Sequence, residues 1–213
     1  MAVVKADAYG HGAVPCARIA VASGADYLGA GVIEEGIELR KSGINTPILI
    51  LGSIFANEVE DLVYYDLATI LCNLPLAQAL SKEGRKQNKI VSVHIKLDTG
   101  MNRLGVSPKY SMTLLDQIHN LPNLKVEGIS THFSSADNED LSVTQVQIEK
   151  FRTTLAKLKN VPIVHCANTS ALLRIPESHF NMVRPGLILY GSLPSPSLNK
   201  VLSQKENHFQ PVM

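Results

Sequence analysis

Cysteine is scarce in this chain and shows no pattern. Cys16, Cys72 and Cys166 are odd in number, far apart and free of C-x-x-C spacing. That excludes a disulfide framework and indicates reduced thiols in a cytoplasmic protein. No cluster has metal-ligand spacing, and no metal is expected. Charge of one sign is lacking too: 20 basic side chains meet 19 acidic ones, a formal net charge of +1. The chain therefore offers no electrostatic case for nucleic acid or an anionic membrane surface. No apolar run is long enough to span a bilayer, and the N-terminus lacks the basic region and apolar stretch of a signal peptide. A G-x-G-x-x-G fingerprint is also absent, since Gly10 and Gly12 are followed by Pro15 rather than a third glycine in register.

What the chain does contain is a regular alternation. Short apolar runs lie at 2–5, 27–31, 48–51, 67–71, 91–97, 126–131, 162–165 and 183–190. Helical spacing of apolar residues follows many of them, at 17–22, 33–40, 59–63, 74–80 and 143–158. The last of these carries Val146, Ile148, Phe151, Leu155 and Leu158 as its stripe. Near-continuous apolar strands alternating with amphipathic helices predict a parallel sheet covered by helices. A closed (β/α)8 TIM-type barrel over 1–191 accommodates eight strands at this interval better than an open doubly wound sheet. Beyond it, 192–213 begins with Ser192-Leu193-Pro194-Ser195-Pro196-Ser197, which reads as a linker.

In such a barrel the chemistry sits at the C-terminal ends of the strands. The residues found there are Lys5 and Tyr9 after the first strand, and Lys96, Asp98, Met101 and Arg103 after the fifth. His132 follows the sixth, Asn168 and Thr169 the seventh, and Arg184 and Gly186 belong to the eighth. Cations, a tyrosine and a histidine around one mouth suit an anionic, aromatic, carbonyl-bearing ligand, and pyridoxal phosphate has all three attributes. Burial of Lys5 against Ala2, Val3 and Val4 would lower its pKa and free the amine to attack a carbonyl. Taken alone, a lysine at a strand end more often snorkels to solvent. His11, His94, His132 and His165 each read individually as hydrogen-bonded core histidines. Asp98 reads as a turn former, Glu34 and Glu35 as a solvated first helical turn, and Cys166 as a small packed residue.

Five runs taken together go further. Val4-Lys5-Ala6-Asp7-Ala8-Tyr9-Gly10-His11-Gly12, His94-Ile95-Lys96-Leu97-Asp98-Thr99-Gly100-Met101-Asn102-Arg103-Leu104-Gly105, Thr131-His132-Phe133, His165-Cys166-Ala167-Asn168-Thr169-Ser170 and Arg184-Pro185-Gly186 resemble the alanine racemases, in that family's order, from residue 2 to about residue 190. The resemblance implies that Lys5 holds pyridoxal phosphate and serves as one of two catalytic bases. It implies that Tyr9, Thr169, Gly186 and Leu187 bind the cofactor phosphate, with Asn168 in the same stretch. His132 would lie beside the pyridine ring and Arg184 would face its nitrogen. Arg103, with Met101 nearby, would position substrate, and Lys96 matches a lysine often carbamylated in the family. Its modification here is left open.

The resemblance further implies interconversion of L- and D-alanine by a cytoplasmic homodimer, supplying D-alanine for peptidoglycan. Serine is not separated from alanine. Alanine racemases carry a helix before the first strand and a β-rich domain after the barrel, which supplies an opposing tyrosine base across the dimer. Both are expected to be missing here, which would make this chain a poor or inactive racemase alone. Three other readings share parts of the pattern. A non-catalytic pyridoxal-phosphate carrier barrel shares the lysine but not the runs around Lys96 and Arg184. A barrel decarboxylase would need an acid where Arg184 stands, and a plain phosphate-binding barrel would leave Lys5 idle.

Overall fold

The computed structural model describes residues 1–158 and 161–198. Its parallel strands are β1 (Ala2–Val3), β2 (Leu28–Ala30), β3 (Ile48–Ile50), β4 (Ala68–Leu71), β5 (Val91–Lys96), β6 (Leu124–Ser130) and β7 (Ile163–His165). They form one 7-stranded sheet paired in chain order. Between them run α1 (Lys5–Gly10), α2 (Ala13–Ala22), α3 (Ile33–Lys41), α4 (Val59–Tyr64), α5 (Leu74–Lys86), α6 (Pro108–His119) and α7 (Ser142–Leu155), and α8 (Thr169–Arg174) follows β7. This is the α/β barrel that the alternation of apolar runs predicts.

The eighth run behaves differently from a strand. The Met1 ammonium donates to the Val183 carbonyl at 3.0 Å, and the Val3 N–H to the Pro185 carbonyl at 3.0 Å. On the other side, Arg184 N–H donates to the Ala167 carbonyl at 2.9 Å. An extended segment thus lies between β1 and the end of β7 and closes the ring. Pro185 has no N–H to continue a ladder, and Leu187–Tyr190 turns into a 3₁₀ helix instead.

Strand residues alternate between two surroundings, as the two-residue period requires. Ala2, Leu28, Ile48, Ile50, Val93 and Ile95 pack with Ala17, Leu39, Leu62, Leu80 and Phe151 of the helices. Met1, Tyr27, Leu49, Ala68 and Ile70 form a second, smaller cluster, with Leu51, Leu104, Ile163 and Met182 against it. Helix α7 buries Thr144, Gln147, Ile148, Phe151 and Thr154, whereas Val143 and Val146 are exposed. Ile148 and Phe151 set the phase, and two residues along a helix is about 200° of turn, so Val146 falls outside. Helix α6 was not evident from spacing, because its buried residues Leu114, Leu115 and Ile118 are confined to its second half apart from Ser111. Of the stretch beyond 191, Leu198 packs on Leu173 and Ile188. The rest of the expected linker, 199–213, lies outside the described residues.

Between β5 and β6 the register shifts: Val93 faces Val126, but His94 faces Gly128, leaving Glu127 as an extra residue. A Cβ at position 128 would fall inside contact distance of the His94 ring. Glycine therefore makes room for the imidazole within the barrel. Gly128→Ala is expected to cost about 1–3 kcal/mol, the range of an overpacked core, read as a lowered midpoint in urea denaturation.

Candidate active site

Lys5 follows the last buried residue of the first run, Val4, and opens a turn of unusual hand. Ala6, Asp7, Ala8 and Tyr9 have φ of 51°, 51°, 53° and 55°, so α1 is a left-handed turn built without glycine until Gly10. Left-handed helix costs about 1–2 kcal/mol per residue for side chains with a Cβ, and a surrounding structure must over-determine it. Ala8 N–H donates to Val4 O at 2.9 Å and Gly12 N–H to Asp7 O at 3.0 Å. The Asp7 carboxylate accepts from Ala13 N–H at 2.6 Å, fastening the turn to the start of α2. Because the chain leaves the barrel wall here, the Lys5 side chain is exposed, which corrects the expectation that it is buried. Its Nζ lies 6.0 Å from the Tyr9 ring centre.

Every residue expected at the site lines one cavity of about 590 Å³ at the C-terminal ends of the strands: Lys5, Tyr9, Lys96, Met101, Arg103, His132, Asn168, Thr169, Arg184, Gly186 and Leu187. Sequence reasoning did not single out Gly31, Ser53, Ser130, Ser134, Asp137 or His165 as lining residues. Several immediately follow strands, and position relative to the strand ends was the available signal.

At one side of the cavity Tyr9, Thr169 and Gly186 converge. Gly186 N–H donates to Thr169 Oγ1 at 3.2 Å. A Cβ on residue 186 would sit 2.8 Å from the Tyr9 hydroxyl, so only glycine leaves this space open. Burial raises the Tyr9 pKa and keeps the phenol a donor. The Asn168 side chain accepts from Ala171 N–H at 3.0 Å and caps α8, a local role beside its place on the cavity wall.

On the floor stands Arg184, buried yet lining the cavity. Its guanidinium donates to His165 Nδ1 at 2.8 Å, to the Thr131 and Cys166 carbonyls at 2.9 and 3.0 Å, and to His132 Nδ1 at 3.3 Å. Guanidinium can only donate, so His165 Nδ1 is bare and its proton sits on Nε2. His165 Nε2 in turn meets His94 Nδ1 at 2.9 Å, which places the His94 proton on Nε2, an atom with no hydrogen-bond partner among the described residues. Burial lowers Arg184 to about 10, still cationic at neutral pH. Burial first, then Arg184, Lys96, Arg103 and Lys5, drives His132 down to about 2. His94 falls to about 4, mainly by burial, and His165 well below its ordinary value for the same reason. The Cys166 thiol is pushed up to about 12 by burial and donates to Ser178 O at 3.1 Å, a packed residue rather than a nucleophile.

The loop carrying Met101 and Arg103 is closed at its base. Leu97 and Val106 form a bridge, with Asp98 N–H to Val106 O at 2.9 Å and Val106 N–H to Lys96 O at 2.8 Å. Asp98 Oδ1 accepts from Gly100 and Asn102 N–H, both at 3.0 Å, so it is the turn former expected. Lys96 lies buried beneath this loop. Desolvation, then Arg184 and Arg103, holds its pKa well below the lysine range.

The model of the alanine racemase N-terminal domain matches residues 1–194. This chain belongs to the alanine racemase family. It is 43% identical over 205 residues to alanine racemase of Methanococcus maripaludis, covering 94% of this chain and 55% of that protein. It is 40% identical over 217 residues to that of Carboxydothermus hydrogenoformans, covering 100% and 58%. Alanine racemase of Clostridium difficile 630 in complex with cycloserine superposes with a TM-score of 0.90 at 36% identity, over 92% of this chain and 55% of that one. The enzyme from D-cycloserine-producing Streptomyces lavendulae superposes with a TM-score of 0.90 at 32% identity, over 96% and 56%. The chain thus spans about half the length of the alanine racemases it matches.

The residues present fit the cofactor that alanine racemase chemistry implies. The cleft kept open at Gly186 beside two hydroxyls suits a phosphate, an exposed amine suits its aldehyde, and a cationic floor suits its ring.

The buried histidines have a consequence for stability. The unfolded chain takes up protons near their ordinary pKa of 6.5, whereas the fold keeps them neutral. Stability is therefore complete above that pH and is lost on acidification, by up to about 1.4 kcal/mol per unit for each histidine. Urea denaturation from about pH 7.5 to about pH 5 is expected to show this slope, with His94→Gln making it shallower. A flat profile would contradict it.

Proposed function

We propose that this chain is the cofactor-binding barrel of an alanine racemase that uses pyridoxal phosphate to interconvert L- and D-alanine. Lys5 then carries the cofactor and works as the base on one face of the substrate. The observation that carries this reading is the convergence of Lys5, Arg184 and the cleft of Tyr9, Thr169 and Gly186 on one cavity. When bound, the cofactor supplies an electron sink for the pair left on the substrate Cα.

The chain's own residues divide the remaining work. The hydroxyls of Tyr9 and Thr169 and the N–H groups of Gly186 and Leu187 would hold the phosphate, with Asn168 shaping the same wall. Arg184 would face the ring nitrogen and, remaining a cation, would offer it a hydrogen bond without giving up a proton. An arginine there would leave the cofactor a weaker electron sink than an acid would, which disfavours side reactions that need a fully protonated ring. His132, kept neutral by burial and then by Arg184, would lie beside the ring and add no competing charge. Arg103, with Met101, meets the substrate side from its closed loop.

Lys96 supports a further element of this reading. An amine whose charged form is disfavoured by burial, and then by two guanidiniums, would add to carbon dioxide through a new N–C bond and release one proton to solvent. The carbamate so formed would put an anion in the field of Arg184 and Arg103, where an ammonium is disfavoured.

Racemisation needs proton removal on one face and return on the other. Lys5 serves one face. The opposing base is proposed to be a tyrosine from the second domain of a partner subunit in a homodimer. A cytoplasmic setting, supplying D-alanine for peptidoglycan, belongs to the same proposal, and the free cysteines fit a reducing compartment.

Two outcomes are expected. In D₂O with pyridoxal phosphate, the purified chain should exchange the α-hydrogen of one alanine enantiomer far faster than that of the other, and Lys5→Ala should abolish it. Equal exchange of both enantiomers would place the second base within this chain. Gly186→Ala should weaken pyridoxal phosphate about tenfold or more while changing the affinity for phosphate-free pyridoxal little, measured by fluorescence titration. Equal losses for both ligands would remove the phosphate from this cleft.

A further inference from the structure

The left-handed turn that begins at Lys5 has a hydrogen-bond tether from outside its own segment. Ala6 N–H, the amide directly after the lysine, donates to Glu35 Oε1 at 2.6 Å across 29 residues. The other oxygen of the same carboxylate accepts from Gly31 N–H at 2.6 Å and from Val32 N–H at 3.4 Å. One side chain therefore joins the loop after β2 to the turn after β1. The site is tightly fitted: a Cβ on Gly31 would lie 3.3 Å from both Glu35 Oε2 and Lys5 Cβ. Capping α3 requires only the Gly31 and Val32 contacts, so the bond to Ala6 is additional. It is also charge-assisted, the stronger class of hydrogen bond. Glu34, one position earlier, is exposed.

We propose that Glu35 is the positioning residue for Lys5: its carboxylate holds the strained turn in the conformation that presents the amine to the cavity. The inference rests on the reading of Lys5 as the cofactor-bearing amine. Without the tether, relaxation of four left-handed residues toward ordinary backbone would swing the Lys5 Cα away from the position it now holds beside Gly31.

The test compares the purified chain with Glu35→Ala, Glu35→Gln and Glu34→Gln. Amide exchange is followed by NMR, pyridoxal phosphate affinity by titration, and adduct location by borohydride trapping and peptide mapping. Glu35→Ala is expected to raise exchange at Ala6 and weaken the cofactor about tenfold each, the size of one charge-assisted hydrogen bond. The share of adduct at Lys5 should fall relative to other lysines, while amides of β4, β5 and β6 keep their protection. Glu35→Gln, which retains an acceptor, should fall between, and Glu34→Gln should match the parent. Should Glu35→Ala not fold, Glu35→Gln is read on the same measures. Unchanged Ala6 exchange with unchanged affinity and adduct location would overturn the proposal. Absence of any Lys5 adduct in the parent chain would remove the cofactor reading instead, and Ala6 exchange would still decide whether Glu35 holds the turn.

Discussion

A guanidinium buried without a carboxylate partner is the constraint on which the site depends. Arg184 is buried, and among the described residues its recorded partners are two backbone carbonyls and two imidazoles. Desolvation of such a charge is tolerable only where its donors are satisfied. Burial, and after it the same positive charge, then disfavours protonation of its neighbours. His132, His165 and His94 are held neutral, and the ammonium of Lys96 is disfavoured. The floor thus carries one cation beside three neutral imidazoles, and the histidine tautomers follow from the fact that arginine only donates. The glycine at 128 belongs to this arrangement, since it clears the space that the His94 ring occupies.

A second constraint works at the opposite wall. The chain turns left-handed directly after Val4, at an energetic cost that no local propensity offsets. Asp7, through Ala13, and Glu35, through Ala6 and Gly31, secure the two ends of the turn. The benefit is geometric. A right-handed helix starting at Lys5 would carry the following residues along a different path, whereas this turn leaves Lys5 exposed at the mouth and brings Tyr9 to Gly186. Under the proposed function, rigid presentation of both groups from one short segment is what a covalently held cofactor with a separate phosphate site would demand.

Much of this was legible in the residues. The apolar runs mark seven strands within a few positions of their ends, because strands buried on both faces need continuous apolar sequence. The cavity lining was also legible as a set, since strand ends in a barrel share one mouth and the five runs bring their types together. The remainder depends on contacts distant in sequence. Lys5 was expected to be buried and is exposed, because the hand of the turn cannot be read from Ala6-Asp7-Ala8-Tyr9, a stretch with nothing against a right-handed helix. Glu35 reads as an ordinary helix-start acid, and only the approach of β1 to β2 gives it Ala6. Pro185 breaks the eighth strand although the run around it is apolar. Val146 matches an apolar stripe by type but lies outside the phase set by Ile148 and Phe151.

The most direct test of the account is where pyridoxal phosphate attaches. Borohydride reduction of the purified chain with the cofactor, followed by mass mapping of every lysine, reads this without any assay of turnover. The account predicts one reduced adduct, at Lys5, lost in Lys5→Ala and not transferred to another lysine. Adducts spread over surface lysines, or a single adduct at Lys96, would contradict it.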